Sequence, residues 1–229
     1  MMALPNYGDQ RMVGRCIYCG GLPETREHVP SKVFLDQPFP EDLPVVEACE
    51  SCNNGFSSDE EYMACLIDCV ISGSTEPNRV SRSKIAKILA RRSAIANRIA
   101  SGRSEGADGP VFSVETERVQ EVVEKIARGH VLFEMNELVD SPLEVWIRPL
   151  VSLGEDERSF FEDVEGAAVG LWPEVGSRAM QRLIVEDSCF YNGWIHVQQD
   201  RYRYSVSQTP RLEVRMVFSE YLACRVLWD

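Results

Sequence analysis

An α+β protein is predicted by three features of these 229 residues: two C-x-x-C pairs near the N-terminus, helical periodicity through the middle of the chain, and period-two alternation near its end. With 44% apolar and 26% charged residues the chain can bury a sizeable core, which excludes intrinsic disorder. No apolar run reaches the roughly 20 residues needed to cross a bilayer, and the opening MMALPNYGDQRM lacks the charged-then-apolar order of a signal peptide. The expectation is a soluble cytoplasmic protein with no membrane association. In a reducing compartment, eight cysteines with four in C-x-x-C pairs favour metal binding over a disulfide framework.

Along the chain, the first block runs from residue 1 to 72. Cys16-Ile17-Tyr18-Cys19 and Cys49-Glu50-Ser51-Cys52 form two knuckles separated by 29 residues, a spacing that lets four thiolates meet around one tetrahedral zinc. Gly20 suits the tight turn after a second knuckle cysteine. A four-thiolate site is coordinatively closed, so its zinc is structural and holds a segment too small for a core of its own. Ser58-Asp59-Glu60-Glu61 reads as a capping box, which predicts a helix from Asp59 to about Ile71. This helix is apolar almost all round, and Cys65 and Cys69 belong to its core-facing residues.

A second helix is predicted from about Ser81 to Ala100. Its Ile85, Ile88, Leu89, Ile95 and Ile99 form an apolar stripe, and Lys84, Lys87, Arg91 and Arg98 fall within about 60° of one another beside it. Arg92 lands inside the stripe and needs a carboxylate or a route to water. Residues 79–103 carry eight basic side chains and no acidic one, although the whole chain has a net charge of −12. That overall charge excludes a protein that coats nucleic acid by bulk electrostatics. The basic segment, 73–103, is either a solvated face or a phosphate track.

The Gly- and Ser-rich SGRSEGADGP, 101–110, suggests a boundary before a third block, 104–229, of α+β character. There a helix is expected from Thr116 to Arg128 with Gly129 as its stop, then a strand at 143–151 and a short helix from Trp172 to Leu183. Four alternating segments, around Trp194–Val197, Tyr202–Val206, Leu212–Phe218 and Leu222–Trp228, predict an antiparallel meander. Its aromatic residues are expected on a buried face.

Between the knuckles lies Thr25-Arg26-Glu27-His28-Val29-Pro30, and Asn53-Asn54 follows the last cysteine. With these residues the N-terminal block resembles the HNH endonucleases of the ββα-metal superfamily, in the subset whose active site is flanked by two C-x-x-C pairs. Glu27-His28 and Cys49-x-x-Cys52-Asn53 match the family pattern over roughly residues 14 to 71. The resemblance implies a zinc-stabilised ββα module that hydrolyses phosphodiester bonds in DNA, with RNA an open alternative, in settings such as microbial restriction or phage defence. It makes His28 the base that activates water, and Glu27 and Asn53 ligands of a catalytic magnesium or manganese ion. Cys16, Cys19, Cys49 and Cys52 would hold the structural zinc. Adjacent strand residues point to opposite faces, so Glu27 and His28 converge only where the strand ends, and Pro30 places that end. The family's middle Asn is absent: Pro44 stands in its place, with Asp42 nearby.

On this reading Lys84, Lys87, Arg91 and Arg98 contact nucleic acid, and the C-terminal unit serves recognition, homo-oligomerisation or control by a regulatory partner. A zinc-stabilised module that binds nucleic acid or protein without cleaving is the alternative. A third reading has the acidic body restraining the nuclease. His130 and His196 are expected to be structural.

Overall fold

A computed structural model describes residues 14–41, 43–107, 109–164, 190, 191, 193–208 and 210–229. The expected helix at 172–183, Cys189 and Asp42 lie outside them. Among the described residues the chain forms five α-helices and antiparallel sheets, the α+β class expected. No described helix is long and apolar enough to cross a membrane. Two compact units form: one from the described residues up to Asn53 together with those from Val123 to Asp229, the other from Asn54 to Val122.

The first unit begins with a two-stranded hairpin of β1 (Thr25–His28) and β2 (Val45–Ala48), in which Thr25 pairs with Ala48 and His28 with Val45. Helix α1 (Glu50–Ser72) starts one residue after Cys49, nine residues earlier than the capping box at Ser58 indicates. Its N-terminus is satisfied by the preceding residue, Cys49, and by one carboxylate from outside the helix. The Glu24 carboxylate accepts the Glu50 N–H at 3.1 Å, Cys49 Sγ accepts the Cys52 N–H at 3.4 Å, and Cys49 O accepts the Asn53 N–H at 3.0 Å.

Strands β5 (Glu144–Pro149), β6 (Phe190–Tyr191), β7 (Trp194–Gln198), β8 (Tyr202–Ser207), β9 (Glu213–Phe218) and β10 (Leu222–Leu227) make one antiparallel sheet in the order β5-β10-β9-β8-β7-β6. Strands β7 to β10 are the expected meander. Tyr202 and Tyr204 are fully buried on one face, where His130 stacks on Tyr204 with ring centroids 3.6 Å apart and bonds the Tyr202 hydroxyl at 2.7 Å. Glu134 accepts the Tyr204 hydroxyl. His130 is therefore a core residue, as expected.

The opposite face is buried as well, although its residues are charged. Arg203 pairs with Glu162 at 2.7 Å and with Glu220 at 2.9 Å. Arg215 pairs with Glu213 and donates to the carbonyls of Phe160 and Phe161, at the end of helix α5 (Glu155–Glu162). Around Trp194, Val217 and Ala223, residues Leu150, Phe161 and Val164 complete a cluster on this side.

Helix α4 (Thr116–Met135) does not stop at Gly129. A Cβ built on Gly129 would lie 2.8 Å from Val29 Cγ2 and 3.0 Å from its Cγ1, so glycine is there to let α4 approach the end of β1. Val29 is buried and β-branched, with little freedom to turn away. Gly129→Ala is expected to destabilise the protein by about 1–3 kcal/mol through overpacking, despite a gain of about 1 kcal/mol in helix propensity. Urea denaturation checks this, with stability restored by adding Val29→Ala.

The second unit holds most of α1, helices α2 (Ser83–Arg91) and α3 (Ser93–Ser101), the hairpin β3 (Arg103–Gly106) and β4 (Gly109–Phe112), and the start of α4. The stretch 101–110, which the sequence marks as a boundary, instead holds the end of α3, all of β3 and the start of β4, inside a compact unit. The single helix expected over 81–100 is two, broken at Arg92 (φ −106°, ψ 74°). The break takes Arg92 out of the apolar stripe and onto Glu61, 3.0 Å away, with the guanidinium more than half exposed. Cys65 and Cys69 are buried core residues.

Asp68 and Arg82 form a buried pair at 3.0 Å. Removing one partner strands a charge, so Asp68→Ala is expected to cost about 3–5 kcal/mol in urea denaturation. The double variant Asp68→Ala, Arg82→Met should recover most of that loss.

Candidate metal centre and catalytic residues

The first knuckle folds on its own backbone. Gly20 N–H donates to Cys16 O at 2.8 Å, Cys16 N–H donates to Gly21 O at 2.7 Å, and Gly20 adopts φ +73° as the turn requires. The Ile17 N–H donates to Glu47 O at 3.1 Å, which ties this knuckle to β2. The second knuckle sits where β2 passes into α1. Each is therefore attached to the hairpin.

The sulfurs of Cys16, Cys19, Cys49 and Cys52 all lie within 4.8 Å of one another, and those of Cys19 and Cys49 are 3.8 Å apart. A tetrahedral zinc with Zn–S bonds of about 2.3 Å separates its sulfurs by about 3.8 Å, so both the donor set and the spacing fit. Burial raises the Cys16 thiol, yet the backbone N–H groups of Cys49, Cys19 and Tyr18 outweigh it and bring the group to about 7. Burial and the three neighbouring thiols push Cys52 up. Four sulfurs this close shed their protons together only around a cation.

His28 is the last residue of β1 and half-buried. Burial and the positive charge of Lys32 hold its imidazole below the ordinary value, so the ring is neutral at neutral pH, the form that accepts a proton. Asn53, in the first turn of α1, donates its amide to Thr25 Oγ1 at 3.0 Å, and that hydroxyl donates to Ala48 O at 2.9 Å. The chain of bonds fixes the Asn53 side chain to the hairpin. Its Oδ1 is the oxygen that suits a hard cation.

Glu27 is placed differently from the expectation. It is buried, and its Oε1 accepts the Ser31 hydroxyl at 3.0 Å and faces Lys125 Nζ at 3.2 Å, with the Lys125 side chain 1% exposed. A carboxylate already matched to an ammonium does not fit a divalent cation as it stands. Lys125 also lies over the Tyr18 ring at 5.9 Å, while Arg128 donates to the carbonyls of Ile17 and Tyr18. The part of α4 from Val123 onward thus braces both the first knuckle and β1. Sequence reasoning missed Lys125; the available signal was a lysine beside the stripe of Val119, Val122, Val123 and Ile126, comparable to Arg92.

The basic residues belong to the other unit. Lys87 and Arg91 are exposed on α2, Lys84 is half-buried there, and Arg98 lies on α3, paired with Glu115 at 3.2 Å. The break at Arg92 interrupts the continuous basic face expected of one helix.

Along the chain β1, β2 and α1 follow one another, and the β1-β2 hairpin is bracketed by four cysteines close enough to hold a structural metal such as zinc. Neither a protein-family model nor a curated protein nor a solved structure matches the chain.

Proposed function

We propose that the chain is an endonuclease of the HNH kind, hydrolysing phosphodiester bonds in DNA. The observation that carries the reading is the placement of His28 and Asn53. His28 ends β1, and Asn53, in the first turn of α1, is tied to Thr25 at the start of the same strand; in sequence His28 lies between the two cysteine pairs and Asn53 follows Cys52. Zinc, held by Cys16, Cys19, Cys49 and Cys52, fixes this arrangement and takes no part in the chemistry.

In the proposed reaction, neutral His28 takes a proton from a water molecule. The water oxygen then attacks phosphorus as the bond to the leaving sugar oxygen breaks; that oxygen takes a proton from solvent, and His28 returns its own to solvent. A bound magnesium or manganese ion would supply charge to the phosphate, with Asn53 Oδ1 as the donor that fits it. Lys84, Lys87 and Arg91 would contribute phosphate contacts, with Arg98 sharing its charge with Glu115. Cysteines used as metal ligands suit a reducing, cytoplasmic setting.

The burial of Glu27 against Lys125 favours a second reading, a zinc-stabilised module that binds nucleic acid without cutting it. Incubating the zinc-loaded full chain with supercoiled plasmid and magnesium or manganese separates the two. Nicked or linear product is expected of the nuclease. Retention of DNA with the plasmid intact under every divalent cation would establish the binding module instead.

A further inference from the structure

The nuclease reading assigns a hard cation to Glu27, yet the folded chain brings an ammonium to that carboxylate. Lys125 comes from α4, far along the sequence, and its Nζ sits 3.2 Å from Glu27 Oε1 with both side chains buried. Ser31 donates to the same oxygen, and the Tyr18 ring lies on the ammonium's approach. A buried carboxylate that has its counter-charge gains little from a second cation, and a divalent ion placed beside a fixed ammonium meets like-charge repulsion in a weakly screened site.

We infer that Lys125 is the resident cation of Glu27, so that in this protein Glu27 does not bind the divalent metal but anchors the end of β1, and with it His28, to α4. The inference rests on the nuclease reading only in taking Glu27 as the position where that family would place its metal. Lys125 is accordingly a positioning residue. Of the two residues matched to the family's metal ligands, that leaves Asn53 as the oxygen donor.

The test is Mn²⁺ binding to the zinc-loaded full chain, followed by electron paramagnetic resonance of the free ion, for wild type, Glu27→Gln, Lys125→Met and the double variant. Glu27→Gln should leave Mn²⁺ affinity within about twofold of wild type, and Lys125→Met should tighten it about tenfold or more, a gain lost in the double variant. A tenfold weakening in Glu27→Gln would overturn the inference, since it would make Glu27 a ligand with Lys125 in place. A folded Lys125→Met with unchanged affinity would also overturn it. Should Lys125→Met fail to fold, the Glu27→Gln titration decides alone. Plasmid cleavage by wild type and His28→Ala is read separately, so failure of the nuclease reading is distinguishable from failure of the Lys125 assignment.

Discussion

His28→Ala is expected to lower plasmid cleavage by about 10²–10⁴-fold, the usual contribution of a positioned general base, while the fold and the zinc content stay as in wild type. The reason is local. His28 is half-buried at the end of β1, its ring held neutral by burial and by Lys32, and its part in the β1-β2 ladder is made by its backbone, which alanine keeps. Truncation therefore removes a proton acceptor without stranding a buried partner. His196→Ala, a change on β7 at a histidine that feels the charges of Arg203 and Glu220, is the control and should leave cleavage unchanged. Single-turnover rates on supercoiled plasmid are the measurement. Equal rates for wild type and His28→Ala would remove His28 from the chemistry.

Loss of the metal is expected to have a comparably large effect on structure. The hairpin has four residues in each strand, too few to be stable alone, and the cluster joins its two ends to the start of α1. Structural zinc contributes about 10–16 kcal/mol of apparent binding energy in small zinc domains, and that binding is coupled to folding. Cys49→Ser should therefore release the zinc, lower the thermal midpoint and abolish cleavage together. Cys65→Ala, a change at a buried thiol outside the cluster, should keep the zinc. Metal analysis beside a thermal melt checks both variants.

The parts of the molecule that were legible in the sequence are those set by local spacing. The C-x-x-C pairs define a cluster because two residues between cysteines suit one turn, and the meander declares itself through alternation over consecutive strands. Arg92 could be read as needing a carboxylate because its position in an apolar stripe is a local conflict, and Glu61 resolves it. What was not legible depends on distant residues. The start of α1 is satisfied by the distant Glu24 and by the sulfur of the adjacent Cys49, which stands where a hydroxyl or carboxylate cap is usual, whereas the clear capping box at Ser58 lies inside the helix. Gly129 resembles a helix stop, but its small size is demanded by Val29 across the packing, and α4 runs on for six residues.

Charge was the least legible feature of all. Period-two alternation on β8 and β9 suggests one buried face, yet Arg203 and Arg215 are buried on the other because Glu162, Glu213 and Glu220 meet them. Glu27 matches the motif's metal ligand because it precedes His28, and the lysine paired with it is supplied by a helix with no sequence link to the motif. Motif spacing reports which residues stand near the hairpin. It does not report which of them already have a partner.

Everything proposed for His28 and Asn53 depends on the thiolate clamp that bridges the two knuckles. X-ray absorption at the zinc edge, on the full chain purified without added chelator, reads that clamp directly. One zinc per chain surrounded by four sulfurs at about 2.3 Å is expected. A shell containing nitrogen or oxygen in place of any sulfur, or a chain that folds with no zinc at all, would contradict it.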